Sequence, residues 1–353
     1  MCFNRFQARV YSVGIEFRGW VRCELKTVLA RHQRSKLTYV KLALAKERKM
    51  SETNNAPEFT TVTVLGGGVL GSQIAMQAAY HGKDVTVYDP FQESIDKLPA
   101  RWAWMRKGYS EDLADFTEEN FEEAVARIKA TTDLEEAVSD VDIIIEAVPE
   151  NLDLKRETWA KVGKLADERT VLATNTSSLL PSLFADSTGA PERFLAIHYA
   201  NRIWKQNLAE VMETPKTDQA FVEKALTYAK ETGMVPAHVK KETPGYFLNS
   251  LLIPWLNAGS DLYMNGVGTP EDIDNAWKLG TGFARGPFEV YDVVGFHVAS
   301  NIASASEDET RQRFGKKLKE AIDAGFSGIA DGKGFYVYDE NGKPVGPNEF
   351  FAN

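Results

Sequence analysis

The chain has 353 residues, 43% of them hydrophobic and 11% aromatic, which gives room for about two globular domains. Its net charge of −9 is uneven: residues 1–50 hold 12 Lys+Arg against 3 Asp+Glu, leaving 29 basic against 47 acidic residues beyond, and so acidic a body argues against a nucleic-acid partner. No apolar run reaches the ~18 residues needed to cross a membrane, so no membrane partner is expected.

Both cysteines, Cys2 and Cys23, fall in the basic segment. The body therefore has no disulfide framework, no thiolate zinc site and no cysteine nucleophile, and no metal centre is expected. Residues 1–57 read as a basic N-terminal extension. It lacks an apolar core followed by a small-residue cleavage site, so it is not a secretory signal. Its Arg-rich, acid-poor composition fits a transit peptide. A plainer reading makes Met50 an alternative start, with the preceding residues disordered or outside the native product. The expected location is the cytoplasm.

The first element of the body is an apolar run, Thr61 to Leu65, closed by Gly66-Gly67-Gly68-Val69-Leu70-Gly71. A helical pattern from Ile74 to Ala79 follows, then a second apolar run, Val85 to Tyr88, ending at Asp89. Strand, glycine loop, helix, strand and acid make a dinucleotide-binding βαβ unit. Gly66 gives the tight turn, Gly68 lets backbone approach a pyrophosphate, and Gly71 allows close helix–strand packing. The helix N-terminus then presents free N–H groups to phosphate. Asp89 would accept hydrogen bonds from ribose hydroxyls and repel a 2′-phosphate. No arginine lies among the ten residues after it, so the expected cofactor is NAD rather than NADP.

Residues 91–130 read as an insertion of two helices carrying Trp102 and Trp104. Further strands are predicted at Ile143–Val148, Val171–Ala173, Phe194–Ile197 and Leu208–Met212, with a helix over Leu152–Ala166. Such alternation predicts a parallel sheet with helices on both faces. After Pro244-Gly245 the pattern becomes helical. Tyr246 to Asn265 reads as one apolar helix interrupted by Pro254, Thr269-Pro270 opens another helix, and helical periodicity runs through Val298–Phe314 and Lys316–Ala324. No strand pattern recurs before Phe335–Tyr338. The expected fold is α/β: a doubly wound sheet at 58–243, then an all-helical domain at 244–353.

Three strand ends carry polar residues: Glu146 to Lys155, Asn175-Thr176-Ser177-Ser178 and His198-Tyr199-Ala200-Asn201. Ligands bind beyond the carboxyl ends of parallel strands, so all three point to one crevice. His198 is the candidate base, since imidazole titrates near neutrality and can take and return a hydroxyl proton. Glu210, twelve residues on in the next strand, can fix its tautomer and stabilise the imidazolium.

These motifs resemble those of the short-chain L-3-hydroxyacyl-CoA dehydrogenases. The resemblance covers roughly residues 60–340. It rests on the glycine loop with Asp89, Glu150-Asn151-Leu152 with Lys155, Asn175–Leu179, and His198 and Asn201 with Glu210. Pro244-Gly245 with Asn249, and Gly286–Glu289 with Asp292 and Gly295, complete the set. The resemblance implies a Rossmann domain followed by a helical dimerisation domain. It implies His198 as base, Glu210 as its orienter, Ser177 as a bridge between substrate and histidine, and Asn249 on the substrate carbonyl. Glu150, Lys155 and Asn201 would contact NAD. The implied reaction is NAD-dependent oxidation of a 3-hydroxyacyl-CoA, such as 3-hydroxybutyryl-CoA, or its reversal, in a homodimer.

The sequence departs from that family in three places, one of them Ile329-Ala330, which occupy the stretch where the family has a lysine before Gly-x-Gly-Phe-Tyr. His198-Tyr199-Ala200-Asn201-Arg202 stands for the usual His-Phe-Phe-Asn-Pro, and no lysine-rich helix lies between residues 95 and 112. A small hydroxy acid without CoA, of the carnitine or gulonate type, is the alternative substrate. An NAD-binding protein without turnover is the alternative from another class.

Overall fold

The computed structural model describes residues 58–352; the basic segment 1–57, with the roles considered for it, lies outside the described residues. Eight strands form one sheet: β1 (Thr61–Leu65), β2 (Asp84–Tyr88), β3 (Ile128–Thr131), β4 (Ile143–Glu146), β5 (Val171–Thr174), β6 (Phe194–Tyr199), β7 (Leu208–Glu213) and β8 (Val235–Val239). Their spatial order is β3-β2-β1-β4-β5-β6-β7-β8. The chain runs outward from β1 to β3, then returns to the other side of β1 at β4. That reversal is the switch point of a doubly wound, Rossmann-type sheet, where a crevice opens beyond the strand ends. β1 and β4 are buried along nearly their whole length, as expected of strands covered on both faces.

The sheet departs from the predicted all-parallel arrangement at one pair. β6 and β7 are antiparallel, joined by the short segment 200–207. A connection that short has no room for the helical crossover a parallel pair needs. Two strands of this sheet have no counterpart in the predicted set. β3 has two exposed central residues and β8 contains Pro236; both are edge strands with weak alternation, and an edge tolerates proline.

The 91–130 insertion holds three helices rather than two: Gln92–Asp96, Leu98–Asp112 and Glu118–Ala126. It is fastened to the helix after the glycine loop (Val69–Tyr80) by the buried Tyr109, whose hydroxyl donates to Gln77 Oε1 at 2.8 Å.

Beyond Gly245 the chain is helical, with helices at Leu248–Met264, Pro270–Thr281, Pro287–Val294, Phe296–Ser304 and Glu309–Asp323. Pro254 lies inside the first of these without ending it. The single pattern predicted over Val298–Phe314 is two helices, the second started by Asp308, whose side chain accepts from Arg311 N. This part has its own aromatic core, including Phe288, Phe296, Phe314 and Phe335. Tyr336–Tyr338 pairs with Pro344–Pro347 in a small hairpin.

Two buried aspartates tie that hairpin down. Asp292 accepts from Phe335 N (2.7 Å), Tyr336 N (3.1 Å) and the Tyr338 hydroxyl (2.7 Å). Asp274 accepts from Phe288 N (2.9 Å), Glu289 N (3.0 Å) and the Tyr336 hydroxyl (2.9 Å). Burial outweighs these donors and pushes the carboxyls up, to about 6 for Asp274 and about 7 for Asp292. Both folded values lie above the unfolded value of ~3.9, so the folded state holds these protons more tightly. The resulting stability is complete in acid and is lost as pH rises through about 6 to 7. The thermal midpoint of the unaltered protein, minus that of Asp292→Asn, should therefore fall between pH 5 and 8. A difference flat across that range would show that Asp292 stays ionised throughout.

Candidate active site

The glycine loop follows β1 and turns at Gly66, whose φ of +107° lies in the region that favours glycine. A Cβ on Gly66 would lie 2.8 Å from Ala147 O, and one on Gly71 would lie 2.0 Å from Gly66 O. Loop, β4 end and helix are therefore in backbone contact at both positions. A Cβ on Gly68 would meet nothing within 4 Å, which leaves its face open to a ligand. Gly68 caps the helix Val69–Tyr80, and Val69 is 63% exposed while Leu70 is half-buried. The first amides of that helix lack helical partners and face this opening.

Asp89 stands at the tip of β2, level with the loop because Leu65 and Tyr88 are register partners. Its Oδ2 accepts from Gly67 N at 2.9 Å and its Oδ1 from Phe91 N at 3.1 Å. A cavity of about 480 Å³ opens here, lined by Gly66, Gly68, Asp89, Phe91, Val148 and Thr158 among others. Apolar walls, an acid and an open glycine face fit the adenosine half of a dinucleotide.

Next along the sheet, Glu146 ends β4 with no exposed surface. Its Oε1 receives Lys155 Nζ at 2.7 Å and Val148 N at 2.8 Å, and its Oε2 the Thr174 hydroxyl at 2.7 Å and Trp159 Nε1 at 3.3 Å. Lys155 is itself 1% exposed and reaches Glu150 Oε2 at 3.3 Å. Glu150 Oε1 gathers the loop after β5: the Thr176 hydroxyl (2.6 Å), Ser177 N (3.0 Å), and Ser178 N and Oγ (both 2.9 Å). Burial alone would raise the Glu150 carboxyl, but these donors and Lys155 hold it at about 2. Glu146, Glu150 and Lys155 thus form a partly buried network that shapes the Ser177 loop and leaves Ser177 exposed to the crevice.

His198 and Glu210 are direct cross-strand partners of β6 and β7. The antiparallel turn is what places them together twelve residues apart. His198 Nδ1 lies 2.9 Å from Glu210 Oε2. Glu210 Oε1 accepts from Phe247 N (2.9 Å) and Leu248 N (2.8 Å), so the carboxylate is held from both sides. A carboxylate is an acceptor only, so Nδ1 carries the proton and Nε2 is left to act on a substrate.

Sequence reasoning missed Tyr246. Its ring stacks on His198 with centroids 4.7 Å apart and planes 18° apart. Its hydroxyl donates to Thr176 O at 2.8 Å, and its φ of +53° is a strained value for tyrosine. It joins the histidine to the Ser177 loop. The one signal in the sequence is its place directly after Pro244-Gly245, and that does not reveal a ring contact. Asn249 follows in the first turn of the helix Leu248–Met264, half-buried.

The segment after His198 is pinned from two sides. Asn201 Oδ1 accepts from Gln73 Nε2 at 3.5 Å, and Arg202 N donates to Gln73 Oε1 at 2.7 Å, which ties Asn201 to the helix of the glycine loop. Arg202 takes a φ of +59° where the resembled family has proline. Asp112 receives Arg202 Nη2 (2.6 Å), Trp204 Nε1 (2.9 Å) and Lys205 Nζ (2.6 Å). Burial opposes ionisation of Asp112, but these three donors hold it at about 2. Trp204 then packs beside Trp104 and Tyr109. Sequence reasoning missed Asp112 as well.

Cofactor cradle, histidine–carboxylate pair and open polar crevice on one doubly wound sheet define an NAD-dependent oxidoreductase. The family models agree. Residues 61–243 match the 3-hydroxyacyl-CoA dehydrogenase NAD binding domain, and residues 245–338 match the C-terminal domain of the same family. The chain belongs to the 3-hydroxyacyl-CoA dehydrogenase family, and its cofactor is NAD. It is 33% identical over 293 residues to the human mitochondrial hydroxyacyl-coenzyme A dehydrogenase, covering 78% of this chain and 90% of that protein. Among solved structures it is similar to a diketoreductase acting on dicarbonyl compounds, at 46% identity and a TM-score of 0.77, covering 79% of this chain and 99% of that one. It is also similar to (S)-3-hydroxybutyryl-CoA dehydrogenase from Ralstonia eutropha, at 28% identity and a TM-score of 0.69, covering 80% and 100%. Among the described residues, no helix is long and apolar enough to cross a membrane and no cluster of ligands suits a metal.

Proposed function

We propose that this protein interconverts a short-chain 3-hydroxyacyl compound and its 3-oxo form, with His198 as the proton-transferring group. The observation that carries this reading is the 2.9 Å His198–Glu210 bond, which leaves Nε2 available beside the Ser177 loop. The cofactor, when bound, would supply the hydride as NADH or accept it as NAD+. In reduction, His198 Nε2 gives its proton to the carbonyl oxygen; in oxidation it takes the hydroxyl proton back. Glu210 stabilises the imidazolium and fixes its tautomer. The Ser177 hydroxyl, on the exposed loop after β5, and the Asn249 amide are assigned as the donors to substrate oxygen. The loop Gly66–Gly71, Asp89 and Asn201 hold the cofactor, and the roles of Glu150 and Lys155 toward it run through the network they form. A domain boundary at 243/244 is supported by the separate aromatic core beyond it.

The substrate has two forms to decide between. Family membership favours a CoA thioester such as 3-hydroxybutyryl-CoA. The charge pairing on the helix Leu98–Asp112 favours a substrate without CoA. Arg106 pairs with Glu118 and Glu122, Lys107 with Glu111, and Arg202 and Lys205 with Asp112, so those cations are engaged within the protein. The similarity to a diketoreductase supports the same reading. Following NADH absorbance with acetoacetyl-CoA and with a carrier-free 3-oxo ester separates the two. A higher kcat/KM for the thioester supports the CoA form, and the reverse order supports the carrier-free form. Oxidation of NADH with neither would sink the proposed reaction.

The helical part supports a homodimer. Leu251 and Val267 are 74% and 69% exposed, and a groove lined by Trp255, Gly259, Leu262, Ile273 and Trp277 lies open. Within it Trp277 Nε1 is buried without a hydrogen-bond partner. Apolar surface of this kind is unusual on a monomer. Light scattering at micromolar concentration should give twice the chain mass of 39.3 kDa, and a species at the chain mass would contradict the dimer.

A further inference from the structure

The ten residues after Asp89 hold no arginine, yet the fold returns one to the same place. Arg101 lies in the first turn of the helix Leu98–Asp112, twelve residues beyond Asp89. Its Nη1 donates to Gly67 O and, at 3.4 Å, to Ser94 O. Gly67 is the residue whose amide is bound by Asp89, and Ser94 lines the same cavity as Asp89. The acid and the guanidinium thus hold opposite ends of one glycine, which lies between Gly66 and Gly68 of the cavity lining. They do not pair with each other, since no ion pair joins them within 4.0 Å.

Two features set Arg101 apart. Its partners are neutral backbone carbonyls, whereas Lys97, Arg106 and Lys107 of the same region each pair with a glutamate. A cation in the first turn of a helix also opposes the helix dipole. The charge is therefore half-buried and has no carboxylate in direct contact, beside a site built for a phosphate-bearing ligand.

We propose that Arg101 is a cofactor-selectivity residue: a guanidinium at the ribose end of the cavity that recognises a ribose 2′-phosphate once the Asp89 carboxylate is neutralised. NAD selectivity then rests on one carboxylate, and Asp89 acts against a phosphate receptor already in place. Arginine suits that task, because its fork of donors matches phosphate oxygens. The inference rests on reading this cavity as the adenosine site.

The test is equilibrium binding of NADH and NADPH, read by nucleotide fluorescence on the full chain. The proteins compared are the unaltered one, Asp89→Ser, Asp89→Asn, Arg101→Met, and each Asp89 variant combined with Arg101→Met. Asp89→Asn keeps the size and one acceptor of the native side chain, so it reports even where the serine variant folds poorly. Neutralising Asp89 should tighten NADPH binding by about tenfold or more, the scale expected when a charge-assisted hydrogen bond forms and a like-charge repulsion disappears. Adding Arg101→Met should reverse that tightening and weaken NADPH binding more than NADH binding, with the Arg101→Met single variant measuring what the loss of the Gly67 contact costs both nucleotides. NADPH binding equally tight with and without Arg101 would overturn the proposal while leaving the cavity as the NADH site. Failure of the unaltered protein to bind NADH would overturn the cavity reading and the proposal together.

Discussion

His198→Gln is expected to lower turnover by ~10²–10⁴-fold, the range for loss of a positioned general base, with NADH affinity nearly unchanged. The second half follows from position. The cofactor cavity is lined from the ends of β1, β2 and β4, whereas His198 stands on β6. Glu210→Gln should cost less, because Glu210 acts through the histidine. The amide keeps the shape but has one acceptor oxygen to share between the Phe247 and Leu248 N–H groups and Nδ1–H, and it removes the charge that favours the imidazolium. The pH–rate profile of that variant should therefore shift its inflection to lower pH. Asn249→Ala should raise KM or lower kcat without moving the inflection, since the contact proposed for it is with substrate rather than with the imidazole. Full activity in His198→Gln would move the base to another residue of the crevice.

Lys155→Met should be the most damaging single change to stability. Lys155 and Glu146 are 1% and 0% exposed, and 2.7 Å apart. Removing one partner of a buried pair leaves the other charged and unpaired, at a cost of ~3–5 kcal/mol. In a chain of this size that corresponds to a drop in thermal midpoint on the order of 10 °C. Adding Glu146→Gln to Lys155→Met should restore much of the loss, because the stranded charge is gone. The network also sets the Ser177 loop through Glu150, so the single variant should lose activity together with stability. A variant that melts normally but binds NADH poorly would make Lys155 a direct cofactor ligand rather than a pillar of the loop.

Much of this arrangement is legible in the sequence because local chemistry leaves few options. The glycine pattern is readable since Gly66 and Gly71 are forced by backbone contacts that admit no Cβ. Asp89 is readable from its place at the end of an apolar run. His198 and Glu210 are readable as a pair, but their spacing alone does not distinguish a parallel from an antiparallel neighbour; the antiparallel turn is what makes them face each other. The residues that escape a sequence reading act through long-range contacts. Tyr246 reaches His198 from beyond the sheet, Asp112 gathers the segment after His198 from ninety residues upstream, and Arg101 returns to Gly67 by a helix turn. No periodicity or spacing encodes such pairs. The edge strands β3 and β8 escape for a different reason, as half-exposed strands lack the apolar alternation on which recognition depends.

Comparing turnover in His198→Gln, Glu210→Gln and the double variant, with NADH affinity measured in parallel, tests the central claim most directly. Residues that act as a unit are non-additive, so the double variant should be hardly slower than His198→Gln alone while still binding NADH. Losses that multiply across the two sites would show that Glu210 works apart from the histidine, and would contradict the account.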